Sequence, residues 1–367
     1  MLTQIDIDID IKDHYKPTLM KQLPLLLLLL FLTMVLLTGC TNNEGSADIW
    51  TSKGNVLDAQ GKYGEAIEAF KQSLKIDPKY TPAWLNMGLT LLNNSRYEES
   101  LEAFDQAITI DPENSSAWNY KGLALSSLGK DGEAIKAYNQ AIKNAPGYAK
   151  AWYNKGVALN SRERYEEAVE AFRQATEIEP DYIEAWNSKG DTLKRLGKDE
   201  QAIEAYNQAI KIDREYDKAW YNKGLALSNL SKYDESVEAF DQALRINPEN
   251  ADAWANKGSA LSQLGKYEDS IDACNQAIKI NPEDTDALYN KGIALSFFEK
   301  YEDALEVYDQ IIRINPNDAN AWINKGTALC FSGKYKEGIK AYNHAIEIDP
   351  KNSIARENRD IAMKNLN

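Results

Sequence analysis

A chain of 367 residues would ordinarily hold two or three domains, but its 8 tryptophans all fall into one register of period 34, so repetition organises it. The formal charge of -14, from 56 Asp plus Glu against 42 Lys plus Arg, argues against nucleic acid as a partner, and the interspersed signs read as solvated helix faces. Three cysteines (Cys40, Cys274, Cys330) and two histidines (His14, His344) cannot form a metal or redox cluster from sequence neighbours, so neither metal nor cofactor is expected.

Residues 1–39 read as a leader. The run LPLLLLLLFLTMVLL at 23–37 is apolar for 15 residues, follows Lys21 and ends on Thr38, Gly39 and Cys40. That is short of the roughly 20 residues a spanning helix needs. A basic start, an apolar middle and small residues at the end are instead the parts of a secretory signal. Leu37-Thr38-Gly39-Cys40 resembles the lipobox of prokaryotic lipoproteins, in which the cysteine thiol is lipidated and becomes the mature N-terminus. The resemblance implies a lipid anchor on Cys40 and an extracytoplasmic location at the cell membrane. An uncleaved anchor and a soluble secreted form are the other two outcomes of the same pattern. Met20-Lys21 would begin an ordinary signal, so the start is Met1 or Met20. Residues 40–46 form a short linker.

The array follows over 47–352. Trp50, Trp84, Trp118, Trp152, Trp186, Trp220 and Trp254 are each 34 residues apart, Trp322 is two periods further, and Leu288 fills the skipped slot. Units therefore start at Ala47, Thr81, Ser115, Ala149, Ile183, Asp217, Ala251, Thr285 and Ala319. In the unit at 149–182, Trp152, Gly156 and Leu159 share one helical face, as do Ala168, Phe172 and Ala175, which predicts two amphipathic helices per unit. Gly61, Gly129, Gly197, Gly265 and Gly333 stand where the first helix must end in a residue that tolerates positive φ. Each unit then carries Lys or Arg, and acids such as Glu166 and Glu167 open the second helix. The Gly-Lys pairs lack the remaining residues of a phosphate loop. Proline closes eight of the nine units; Arg214 is the exception, and the second helix is expected to run on slightly there. Cys274 takes a slot that is Phe or Tyr elsewhere and reads as a small buried hydrophobe.

An aromatic at the fourth place, glycine at the eighth, small residues at the twentieth and twenty-seventh and proline at the thirty-second resemble the tetratricopeptide repeat family over 47–352. The resemblance implies an all-α, right-handed superhelical solenoid of nine helix-turn-helix repeats held by neighbour contacts. Each tryptophan is expected to bury on the order of 200 Å2, or roughly 5 kcal/mol gross. The last stretch, 353–367, keeps Ala355 but carries Arg356 and Asp360 at the tryptophan and glycine places, which predicts a polar capping helix. The seventh place, leucine in the family, is lysine in eight units, among them Lys53, Lys155 and Lys325. Stems covering the neighbouring unit, with the ammonium reaching solvent or an acid, is the plainer expectation; a cationic ladder is the other.

In this family the first helices line a concave groove. The sixth place reads Asn86, Asn154, Asn222, Asn256, Asn290 and Asn324, similar to the asparagine ladder of O-linked N-acetylglucosamine transferases, which grips a peptide backbone. Local hydrogen bonding of these amides is the competing explanation. Selectivity is expected from two apolar strips, Leu85, Leu89 and Leu92, and Tyr289, Ile293, Phe297, Ile323 and Phe331, with Lys150, Lys194, Arg195 and Lys218 between them and Tyr153 and Tyr221 beside the amides. No fifth-place residue is basic, which argues against the carboxylate clamp of heat-shock co-chaperones. The expected function is a non-enzymatic scaffold tethered at the outer face of the membrane that binds a protein or an extended peptide. A glycan or cell-wall binding lipoprotein is the alternative, and no nucleophile-base or carboxylate constellation points to an enzyme.

Overall fold

The computed structural model describes residues 45–366, which form 19 helices and no strand. The leader, Cys40 and the linker up to residue 44 lie outside them. The chain divides into two units, here described separately. Residues 45–112 hold α1 (Ala47–Ala59), α2 (Tyr63–Ile76), α3 (Thr81–Asn93) and α4 (Tyr97–Ile110). Residues 113–366 hold α5 (Ser115–Ser127), α6 (Asp131–Asn144), α7 (Ala149–Ser161), α8 (Tyr165–Ile178), α9 (Ile183–Arg195), α10 (Asp199–Ile212), α11 (Asp217–Asn229), α12 (Tyr233–Ile246), α13 (Ala251–Gln263), α14 (Tyr267–Ile280), α15 (Thr285–Phe297), α16 (Tyr301–Ile314), α17 (Ala319–Phe331), α18 (Tyr335–Ile348) and α19 (Ser353–Leu366). Odd-numbered helices open repeats and even-numbered ones close them. Within each unit a helix packs on its hairpin partner and on the helix that follows. The fold is an all-α helical-repeat solenoid.

Every first helix of a repeat stops on a left-handed residue. The five glycines lie at φ between 69° and 81°, and Ser95, Glu163, Ser231 and Glu299 hold the same place at 56° to 59°, alternating strictly with them. The next amide then reaches back into the helix, as Lys130 N–H does to the Leu125 carbonyl at 2.9 Å, so the helix end is closed by backbone alone. The twist toward the second helix thus comes from one φ angle, with or without glycine.

The two helices of a hairpin meet where glycine faces an aromatic ring. A Cβ added to Gly156 would lie 2.6 Å from Phe172 Cε1, and one added to Gly224 would meet Phe240 at the same distance, so only glycine lets the rings lie flat on the first helix. These rings, Phe70, Phe104, Tyr138, Phe172, Tyr206, Phe240 and Tyr308, are fully buried, among alanines. Cys274 holds the slot in one repeat, fully buried, its thiol pushed up to about 12 by burial.

The tryptophans are half-buried, and the fully enclosed core belongs to the second-helix rings. Indole N–H groups tie first helices to the loop before them, Trp84 to the Pro78 carbonyl at 2.9 Å, Trp186 to Pro180 at 3.0 Å, Trp254 to Pro248 at 2.9 Å. Trp220 donates in the same way to the Arg214 carbonyl at 3.0 Å, and α10 ends at Ile212 in register with the other second helices. The expected run-on past Arg214 does not occur, because this loop is held by the indole bond and needs no proline.

The seventh-place lysines also resolve. Seven of the eight stand three residues after a tryptophan, and there the ammonium lies over the indole of its own helix, from 4.7 Å at Lys53 and Trp50 to 5.5 Å at Lys121 and Trp118, while Lys291 follows Leu288. Lys257 and Lys325 also pair with Asp241 and Asp309 of the preceding second helix, at 2.6 and 2.5 Å. The lysines thus lie against their own helix's indoles and, at Lys257 and Lys325, pair with acids, as the packing expectation has it. At the C-terminus, α19 buries Ala355 and Ala362 but leaves Ile354, Ile361, Met363 and Leu366 exposed, so the closing helix is less polar than its Arg356 and Asp360 suggested.

Candidate functional site

The first-helix face carries the variable residues of an otherwise repetitive scaffold. Places two, five, six, nine, twelve and thirteen lie on one side of a helix. In residues 45–112 that face of α3 bears Leu85, Asn86 and Leu89, all half-buried, whereas Leu92 is only 8% exposed and belongs to the core. The N-terminal apolar strip is therefore two residues wide at the surface.

In residues 113–366 the asparagines at the sixth place are half-buried, and most are tied to the repeat before them. Asn154 Nδ2 donates to Asn119 Oδ1 at 2.9 Å, Asn222 Nδ2 to Asn187 Oδ1 at 3.3 Å, and Asn290 Nδ2 to the Ala255 carbonyl at 3.2 Å. Asn256 Nδ2 donates to the Asp252 carbonyl at 2.8 Å and to the Tyr221 hydroxyl at 3.4 Å. Asn324 is half-buried in α17. The row is thus a set of repeat-to-repeat hydrogen bonds whose donor side faces inward. What it can offer a ligand is its carbonyl oxygens and the amide hydrogens these bonds leave over.

The fifth-place tyrosines pack rather than protrude. Tyr153 lies 5.7 Å from Phe172 and 5.0 Å from Tyr182, ring to ring, and burial pushes its hydroxyl up. Tyr221 packs 6.0 Å from Phe240 and is pushed up to about 12, first by burial and then by Asp252. Lys150, Arg195 and Lys218 are exposed; Lys194 is half-buried, and burial pulls its ammonium down. Beside them is a residue that the repeat pattern alone does not single out. Asp191 takes a place that is leucine in α3, α5 and α11, accepts from Tyr206 hydroxyl at 2.7 Å and Asn187 Nδ2 at 3.1 Å, and is pushed up by burial against those bonds and the charges of Lys194 and Arg195.

The C-terminal apolar strip separates into three parts. Ile323 is only 6% exposed and is core, and Ile293 is half-buried. Tyr289 lines a recess of about 370 Å3 with Asp252, Asn256, Ser259, Asp284, Asp286 and Asn290. Phe297 and Phe331, at the ends of α15 and α17, are 64% and 69% exposed. Each stacks on a tyrosine that opens the preceding second helix, Phe297 on Tyr267 at 5.6 Å and 7°, Phe331 on Tyr301 at 6.0 Å and 11°. The acids of this region escaped sequence reading, although the second place runs Lys150, Glu184, Lys218, Asp252, Asp286 and so carried the change of sign. Among the described residues no three His, Cys, Asp or Glu side chains are grouped as metal ligands would be, and no helix is long and apolar enough to cross a membrane.

Tetratricopeptide repeat profiles match residues 85–149 and 221–285, residues 47–80, 149–182 and 319–352, and residues 171–204 and 273–306, and a TPR repeat profile matches 190–231. Among solved structures, a tetratricopeptide repeat protein from Parabacteroides merdae superposes with a TM-score of 0.51 at 17% identity, covering 68% of this chain and 98% of its own. The APC/C hetero-tetramer Cut9-Hcn1 gives 0.50 at 16%, covering 92% and 81%. Pseudomonas aeruginosa pilF gives 0.50 at 18%, covering 56% and 94%. No curated protein matches the chain. At these identities the solved structures speak for the fold alone, but the repeat profiles together span most of 47–352 and agree with the helix register: the chain belongs to the tetratricopeptide repeat family, a family of scaffolds suited to binding proteins or peptides.

Proposed function

We propose that this protein is a non-enzymatic scaffold that holds an extended protein or peptide segment along the first-helix face, tethered by a lipid on Cys40 at the outer face of the cell membrane. One observation carries the binding half: on a scaffold whose buried places repeat every 34 residues, the exposed places of α7 to α17 do not repeat, and they include two phenylalanines left largely in water. Isolated surface apolar residues need no explanation, but two equivalent, adjacent, stacked pairs form a patch, and patches of this kind serve contact. The sixth-place carbonyl oxygens add acceptors for a peptide backbone whatever its side chains. Arrays of peptides and of glycans presented to the full chain test this. Retention of peptides is expected; retention of glycans alone would favour the second reading, a carbohydrate platform on the stacked Tyr267–Phe297 and Tyr301–Phe331 rings.

The tethering half rests on Leu37-Thr38-Gly39-Cys40 after the apolar run. Cys40→Ser is expected to abolish metabolic lipid incorporation and to leave the protein unprocessed or released. Unchanged lipid labelling of that variant would remove the lipoprotein assignment.

A further inference from the structure

The C-terminal part of the first-helix face is acidic at one edge and aromatic at the other. The recess between α13 and α15 is walled by three carboxylates, Asp252, Asp284 and Asp286, with the carboxamides of Asn256 and Asn290. No lysine or arginine occupies places two, five, six, nine, twelve or thirteen of α13, α15 or α17. The hydrogen-bond inventory leans the same way. Asn256 has its amide hydrogens on the Asp252 carbonyl and the Tyr221 hydroxyl, and Asn290 donates to the Ala255 carbonyl. One oxygen of Asp284 accepts from the Ala287 amide, as a helix cap should. What remains is the carboxylate and carbonyl oxygens, with the Tyr289 and Ser259 hydroxyls beside them, and the three carboxylates suit a guanidinium with five donors in a plane and repel an anion.

The second feature is independent of the first. Phe297 follows Asp286 by eleven residues, which at 100° per residue returns it to within about 20° of the same side of α15, about 16 Å further along the axis. Its ring is 64% exposed and stacked on Tyr267, and Phe331 repeats the arrangement one unit later at 69%. An extended segment crosses that interval in about five residues.

We infer that this face docks a basic segment of a partner protein, with an arginine in the Asp252–Asp284–Asp286 recess and an apolar or aromatic side chain about five residues away on the Phe297 and Phe331 rings. The inference rests on the peptide-binding reading above and names its partner class. Charge complementarity selects the occupant: an acidic segment meets three carboxylates and no base at these face places, whereas the bases at the same places of the unit's other repeats, Lys150, Lys194, Arg195 and Lys218, lie in α7 to α11.

The test uses the full chain in detergent and labelled nine-residue peptides that pair one residue with a phenylalanine five positions away, the residue being arginine, its neutral isostere citrulline, or glutamate. Fluorescence anisotropy should show the arginine peptide binding about tenfold or more tighter than the glutamate peptide, with the difference shrinking as salt is raised. Asp252→Asn combined with Asp286→Asn should erase the preference for arginine over citrulline, and Phe297→Ala combined with Phe331→Ala should weaken both by about tenfold. Circular dichroism of each variant checks the fold; all four positions are exposed or half-exposed at the face, so helical content should not change. Equal binding of the arginine and citrulline peptides to the unaltered protein, or an arginine preference that survives the double aspartate substitution, overturns the charge assignment while leaving peptide binding intact. Failure of every peptide to bind overturns the peptide-binding reading itself, and this inference with it.

Discussion

The Asn154–Asn119 bond decides whether the asparagine row is a lock between repeats. Asn119 is 2% exposed, its Oδ1 accepts from Asn154 Nδ2 at 2.9 Å and its own Nδ2 points to the Tyr148 hydroxyl at 3.5 Å, so the carboxamide is buried with its partners arranged around it. Asn154→Ala removes the donor and strands that buried acceptor, a loss of about 1–3 kcal/mol. Asn119→Ala leaves the half-buried Asn154 able to reach water, and the loss should be about 0.5–1.5 kcal/mol. In the double variant no acceptor is stranded, so the combined loss should fall short of the sum by about 1 kcal/mol. Urea titrations of the four proteins, followed by far-ultraviolet circular dichroism and by tryptophan fluorescence, give this coupling. A double variant whose loss equals the sum of the single losses to within about 0.3 kcal/mol refutes the lock. The row would then be a set of independent surface amides, and its proposed inward-facing donors would have no energetic content.

Two further substitutions probe the scaffold. Gly156→Ala places a methyl 2.6 Å from Phe172 Cε1, and overpacking by about 1–3 kcal/mol should exceed the roughly 1 kcal/mol gained in helix propensity, whereas Gly64→Ala in α2 meets nothing within 4 Å and should stabilise slightly; thermal melts of both should move in opposite directions. Burial pushes the Asp191 carboxyl above the ordinary aspartate value of 3.8, and the stability of its protonated form is present below that value and lost as pH rises through the raised one. Asp191→Asn keeps an acceptor for the Tyr206 hydroxyl without the charge, and its melting temperature should lack that fall; parallel pH profiles for the two proteins would discount the buried carboxyl.

The fold was legible in the sequence because its determinants are local and repeat. A tryptophan, a glycine four residues on and a proline near the end of each unit state the helix lengths and the turn, and the residues between them supply the face that each helix buries. Legibility failed where a role depends on what lies opposite in space. Trp152 and Phe172 look equally apolar in the chain, but only Phe172 lies against a glycine, so it is the ring that is fully enclosed while the indole remains half-buried. Lys155 three residues after Trp152 looked like a departure from the family, and it proves to be a cation over an aromatic face at 5.0 Å, a contact that helical spacing alone could have suggested.

The candidate site illustrates the same limit from the functional side. Sequence spacing put Asn86, Asn154, Asn222, Asn256, Asn290 and Asn324 on one helix face, but spacing does not say which way an amide is turned. The structure turns Asn154 and Asn222 so that at least one amide hydrogen is held by the preceding repeat. Ile323 and Phe331 occupied one apolar strip in the sequence, yet α17 buries the first and exposes the second, because Ile323 packs into the core of its repeat and the thirteenth place overhangs the end of the helix. The buried repeating places carry stability from hairpin to hairpin, and the overhanging and second-place residues contribute little to it. Those places are therefore free to differ between repeats. It is there, at Asp252, Asp286, Phe297 and Phe331, that this chain differs from its other repeats, and exposed places that differ from the rest of the array are the ones on which the proposed recognition rests.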